Sequence, residues 1–283
     1  MLRIRFERME HMDIRNFFLQ FFATLGFLYT NAQHTTGNWD TYVFLTNQKP
    51  VSVVVDLDFG ASPASKEKRN AIVIQLALRQ VLHDGMPSRS EIPILDSIEN
   101  ALADELNNSL GAQYTGRYTQ EGKRSFYFYS NDTSDCRQRI TIVFRRFSLY
   151  DWKLVISADN QLSYYKHMLY PTAKEMERIK NRRMADALQA KGDKLTAPRK
   201  VVHYLFFNSE TNRKKFAREV QDSGFVVENA GTEMGLKDHP FSLHISRTDK
   251  VDNESMDKVS LFLWERALHY FGKYDGWETF VVR

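Results

Sequence analysis

A single cysteine, Cys136, in 283 residues excludes an internal disulfide and any cysteine-built zinc cluster. No run of 18 or more apolar residues occurs, so the sequence offers no membrane-spanning helix. Charge of one sign is lacking as well. Lys and Arg total 39 against 35 Asp and Glu, a net charge of +4, and the two signs are interspersed. That pattern describes a solvated surface and disfavours a nucleic-acid footprint. No glycine-rich phosphate loop follows a strand pattern, because Gly85, Gly111, Gly116 and Gly122 each fall at an element end or turn. The eight histidines are scattered, and none forms an i, i+4 pair beside a glutamate. His239 and His244 stand five apart across a strand start, a poor ligand spacing. Neither a metal nor a cofactor is expected, and there is no internal repeat or low-complexity tract.

What is present is ordinary for a globular chain: 42% hydrophobic and 26% charged residues, with length enough for two cores. In the C-terminal part, a helical pattern over 173–191 ends at Gly192-Asp193. Val201–Phe207, rich in β-branched and aromatic residues, reads as a strand. Asn208-Ser209-Glu210 opens a helix running to about Asp222. Phe225–Glu228 and the alternating Phe241–Ser246 are strands. A long helix over 253–271 places Met256, Val259, Leu263, Ala267 and Tyr270 on one stripe, and Glu278–Val282 closes the series. The order β-α-β-β-α-β predicts a ferredoxin-like domain with a preceding helix.

The N-terminal part predicts a mixed or antiparallel sheet with two helices. Its strands are expected over 39–45, 51–57, 71–78, 114–119, 123–129 and 152–157, and its helices over 90–110 and 134–148. Pro171 marks a boundary. The whole reads as an α+β protein with a leader over 1–35 and domains over 36–171 and 172–283.

Before that, Phe17–Tyr29 is an apolar run of signal-peptide length. It follows Arg15, and Thr30-Asn31-Ala32-Gln33 after it suits a signal peptidase, with Met12 as an alternative start. Export to the periplasm or beyond is the expectation, and a cytoplasmic protein with a docked N-terminal helix is the alternative.

Two constellations resemble known bacterial families. The run Tyr274-Asp275-Gly276-Trp277-Glu278-Thr279 sets aromatics on each side of a turn pair and then enters β-favouring residues. With the element order around it, this run resembles the regulator of ribonuclease E activity B (RraB) family. Trp39 with Tyr42, Lys49-Pro50, Gly85-Met86-Pro87 with Glu91 and Leu95, and Tyr118-Thr119 with Gly122 resemble the domain of unknown function 695. Phe126-Tyr127-Phe128-Tyr129 and Leu169-Tyr170-Pro171 match it too. The second resemblance supplies no activity. The first implies a non-enzymatic regulator acting by protein–protein contact, with a ribonuclease E-like partner if the protein is cytoplasmic. The enterobacterial RraB type is strongly acidic, and here the matching half has interspersed charge.

The rival reading is a hydrolase-type enzyme with a site in an interdomain cleft, yet no catalytic residue stands out. Asp56 and Asp58 alternate at a strand end, as an acid/base pair or a solvated terminus would. Cys136 lies near Arg137 and Arg139, which favour a thiolate, but no histidine partners it. Lys123-Arg124 leading into Phe126–Tyr129 faintly resembles an RNA-binding strand without its glycines. Arg178, Lys180, Arg182 and Arg183 lie among Glu175, Glu177 and Asp186, as helix ion pairs do.

The expected contact surface is therefore a sheet face of the C-terminal domain. Alternation puts Tyr204 and Phe206 on one side and His203, Leu205 and Phe207 on the other. Leu243 and Ile245 read as helix-covered, leaving Ser242, His244 and Ser246 opposite. His203, Phe207, His244, Tyr274, Asp275 and Trp277 are the candidate binding residues.

Overall fold

The computed structural model describes residues 37–233 and 235–283, so the expected signal peptide lies outside the described residues. The strands are β1 (Trp39–Thr46), β2 (Lys49–Asp56), β3 (Asn70–Ala77), β4 (Gln113–Gln120), β5 (Lys123–Ser130), β6 (Trp152–Ala158), β7 (Arg199–Phe207), β8 (Val226–Thr232), β9 (Phe241–Asp249) and β10 (Gly272–Glu278). The α-helices are α1 (Pro63–Glu67), α2 (Ile92–Leu110), α3 (Cys136–Phe144), α4 (Ala173–Ala190), α5 (Glu210–Gln221) and α6 (Asn253–His269). Two antiparallel sheets result, in the orders β1-β2-β4-β5-β3-β6 and β10-β7-β9-β8. The α+β class expected from the sequence is observed. The chain forms two compact units, one of residues 37–39 and 56–165, the other of residues 40–55 and 166–283.

In the first unit, α2 and α3 cover one face of the sheet. Ile72, Ile74 and Leu76 of β3 alternate with the strand period and meet Leu95, Ile98, Leu102 and Leu106 of α2 and Ile140, Val143 and Phe144 of α3. Within this core Glu99 accepts from Tyr114 Oη at 2.9 Å and pairs with Arg117. Burial works against the Glu99 charge, but Arg117 and then Arg124 hold its carboxyl below the usual range.

In the second unit, the sheet order is that of a ferredoxin-like fold, with the first and third strands central and the second and fourth at the edges. The sequence marks its helix starts plainly. Thr172, Ser209 and Asp252 each cap the following helix by accepting from the backbone N–H three residues on. Leu205 and Phe207 of β7, Leu243 and Ile245 of β9, Phe216 and Val220 of α5, and Val259 and Leu263 of α6 form its core. At 25 cal/mol per Å² or so, aromatic and aliphatic burial of this kind dominates the unit's stability.

The last strand differs from expectation. It spans Gly272–Glu278 instead of 278–282, so the Tyr-Asp-Gly-Trp run lies inside a strand and is not a turn. Chain reversal happens one step earlier, at Phe271, whose φ of 53° is left-handed. Gly272 then follows because a Cβ there would lie 2.5 Å from the Phe207 ring. The residues after Glu278 are held by a buried pair. Asp193 binds Arg199 and accepts from the Val282 amide at 2.8 Å, while Arg199 Nη1 donates to the Phe280 carbonyl at 3.1 Å.

Candidate functional site

Tyr274 and Trp277 are three residues apart, so a regular strand would send them to opposite faces. A β-bulge between Tyr274 and Gly276 cancels that parity. Gly276 has φ of 129°, open to glycine and closed to other residues, and nothing lies within 4 Å of where its Cβ would be. The glycine is thus demanded by the backbone and not by crowding. Both aromatics face the helices, and Asp275 is pushed out to solvent, where Lys273 pairs with it at 2.8 Å.

Each inward aromatic carries a polar tip that finds a partner. Tyr274 Oη lies 2.9 Å from His203 Nδ1. Trp277 Nε1 donates to Asn181 Oδ1 at 2.8 Å, and the Asn181 amide nitrogen donates to Asp257 at 2.8 Å and Ser260 at 2.7 Å. One side chain of α4 thereby fastens β10 and α6 together. Around it Ala185, Leu188, Val201, Val251 and Met256 enclose the indole. His203 is fully buried, edge-on to Phe225. Burial, with the nearby Arg247 charge, lowers its pKa to about 3, so the ring is neutral.

Two family models match this chain, one in each half. Residues 37–170 match a family of unknown function, DUF695. Residues 178–279 match the regulator of ribonuclease activity B, RraB. No curated protein matches. The RraB match begins just before Asn181 and ends just past Trp277, so both halves of that hydrogen bond fall inside it.

The six candidate binding residues do not share one surface. Cross-strand register sets His203 opposite Ile245, and Leu205 opposite Leu243. His203, Phe207, Tyr274 and Trp277 are all buried on the helix-covered side. Docking through them is corrected accordingly: their partners are the protein's own core. His244 faces the other way, opposite Tyr204, with the two rings edge-on at 4.6 Å. Val202, Tyr204, Phe206 and His244, all partly exposed, line the face that no described helix of this unit covers. A bond from Tyr204 to Glu278 raises the phenol to about 12. Tyr204 and Phe206 belong to this face and were not among the six. Their alternation in the sequence was visible, but the register that pairs them with His244 was not.

The remaining chemical candidates have structural partners. Cys136 is buried, and burial outweighs Arg137 to push its thiol up to about 11, the reverse of activation. Asp56 accepts from the Asp58 amide at 3.1 Å, and burial raises its carboxyl above the usual value. Phe126 to Tyr129 are buried on both faces of β5, which leaves no stacking platform for bases. Arg178 lies 3.7 Å from Glu175, Lys180 2.8 Å from Glu177, and Arg182 and Arg183 both bind Asp40. Among the described residues no cluster of three or more His, Cys, Asp or Glu is placed to hold a metal ion, and no helix is long and apolar enough to cross a membrane.

Proposed function

We propose that this protein is a non-enzymatic regulator that binds a partner protein, a ribonuclease E-like enzyme if the chain is cytoplasmic, through the outer face of its four-stranded sheet. The observation that carries this reading is the contrast between the two faces within the RraB-matched segment. The polar tips of Tyr274 and Trp277 are tied inward, whereas Tyr204, Phe206 and His244 present aromatic surface outward with no described helix of this unit over them. Aromatic side chains at such a site supply contact area at low entropic cost. His244, together with Asp275 at the strand edge, is what remains of the expected surface. The charge of the segment gives no reason for electrostatic steering toward a strongly basic partner.

The test is an RNA cleavage assay with purified ribonuclease E, with and without the full-length protein. Slower cleavage and a stable complex are expected, both weakened by Tyr204→Ala and by Phe206→Asp while the melting temperature is retained. Unchanged cleavage and no complex would overturn the proposal. N-terminal sequencing of the native protein supplies the compartment, since only an intact cytoplasmic chain can meet that enzyme.

A further inference from the structure

The edge strands β8, β10 and β6 are not equally guarded. Edge strands expose unpaired N–H and C=O groups, and proteins blunt them with bulges, charges, glycine or proline. β8 carries a bulge between Val227 and Asn229 that includes Glu228. β10 carries the bulge at Asp275 and the Lys273–Asp275 pair. β6 has no bulge, glycine or proline, and its one charged side chain is Lys153. Its sequence, Trp-Lys-Leu-Val-Ile-Ser-Ala, pairs with β3 in unbroken register from Ala158 through Trp152. No described strand pairs with its outer side. Val155 and Ile156, on opposite faces, are 49% and 41% exposed. Such a strand is a template for a further strand.

The charge beside it narrows the occupant. From Cys136 to Tyr150 the chain holds four arginines and no carboxylate. Arg137, Arg145 and Arg146 are exposed and make no ion pair among the described residues, whereas Arg139 is paired with Glu105 at 3.4 Å. Arg137 lies 5.7 Å over the Trp152 ring, and Phe144 stacks on that ring at 5.3 Å, so α3 passes over Trp152 at the start of β6. Lys153 adds a cation on the opposite face of the strand. A second copy pairing β6 with β6 about a two-fold axis would bring two such arginine clusters together, which is unfavourable. A strand carrying carboxylates would meet opposite charge.

We infer that β6 is a docking edge for an extended, acidic peptide segment of a partner protein, added as a seventh strand with its carboxylates beside Arg137, Arg145 and Arg146. The backbone supplies the pairing, Val155 and Ile156 supply apolar contacts, and the arginines select for acid. This site is in the unit that the ribonuclease proposal does not use, so either can fail alone.

The full-length protein is titrated into a fluorescein-labelled nonapeptide of alternating valine and glutamate, followed by anisotropy. Binding is expected, weakened about tenfold when alternate peptide amides are N-methylated, the cost of losing a few backbone hydrogen bonds. A valine–lysine peptide should not bind. Arg145→Ala with Arg146→Ala, both exposed, should weaken the acidic peptide roughly fivefold and leave the fold intact. Equal binding of the N-methylated peptide would show charge adsorption alone and overturn the inference. So would equal or tighter binding of a nine-nucleotide oligouridylate at the same salt, or self-association in sedimentation velocity that Val155→Arg abolishes. Absence of peptide binding would also overturn it.

Discussion

Trp277 Nε1 reaches back across 96 residues to donate to Asn181 Oδ1 at 2.8 Å. The bond joins the last strand to the helix that precedes the ferredoxin-like unit, and through Asp257 and Ser260 it also reaches α6. Truncating Trp277 to Ala should destabilise the protein by about 3–5 kcal/mol. Asn181→Leu should cost roughly 1–3 kcal/mol by leaving the indole N–H and Ser260 unpaired. Urea melts of both variants check this. If the bond acts as described, the double variant loses less than the sum of the singles.

Gly276→Ala adds one methyl into open space, so any loss must come from the backbone. A cost above about 1 kcal/mol is expected at this φ, and near-ultraviolet circular dichroism should report a disturbed Trp277. An unchanged melt and spectrum would show that the bulge tolerates an L-residue and that the parity argument is wrong.

His203 gives a pH dependence with a definite sign. Its folded pKa, about 3, lies below the ordinary histidine value of 6.5. The unfolded chain therefore binds the proton first as pH falls. The histidine's contribution is fully present above pH 6.5 or so and is lost toward pH 3, by up to about 1.4 kcal/mol per unit. His203→Gln cannot take up that proton. Over this window its urea stability should fall with a visibly smaller slope than the wild type.

The Glu99–Arg117 pair is buried in the first unit. Glu99→Gln leaves Arg117 without its main counter-charge, at an expected cost of about 3–5 kcal/mol. Thermal unfolding followed by circular dichroism measures it. A neutral outcome would mean that Asp96, 3.4 Å from Arg117, suffices.

Asp193→Ala should release the chain end after β10. The Val282 amide loses its acceptor and Arg199 loses its charge partner. Hydrogen exchange at Val282 is expected to rise well before global unfolding.

Much of the fold was legible because local signals agreed. The helical periodicities over 173–191 and 253–271, the helix entry at Ser209 and the β-rich Val201–Phe207 run announce their elements, and each element is found there. What failed did so at points that periodicity does not encode. Asp275-Gly276 reads as a turn pair, and only the β7–β10 register shows a bulge instead. His203 and His244 look alike along the chain, but register sets them on opposite faces. A one-residue offset between strands decides which side chains share a surface, and the neighbours of a residue on another strand are not written beside it.

The outward loop at Asp275 has a consequence for how this surface can vary. Without it, Tyr274 and Trp277 would be two apart and would still face inward together. The extra residue is therefore surplus to the core. Its side chain can change in charge or size at the edge of the proposed contact face, next to Tyr204 through Gly276, while the aromatic lock behind it stays as it is. Specificity can drift there without reopening the question of folding.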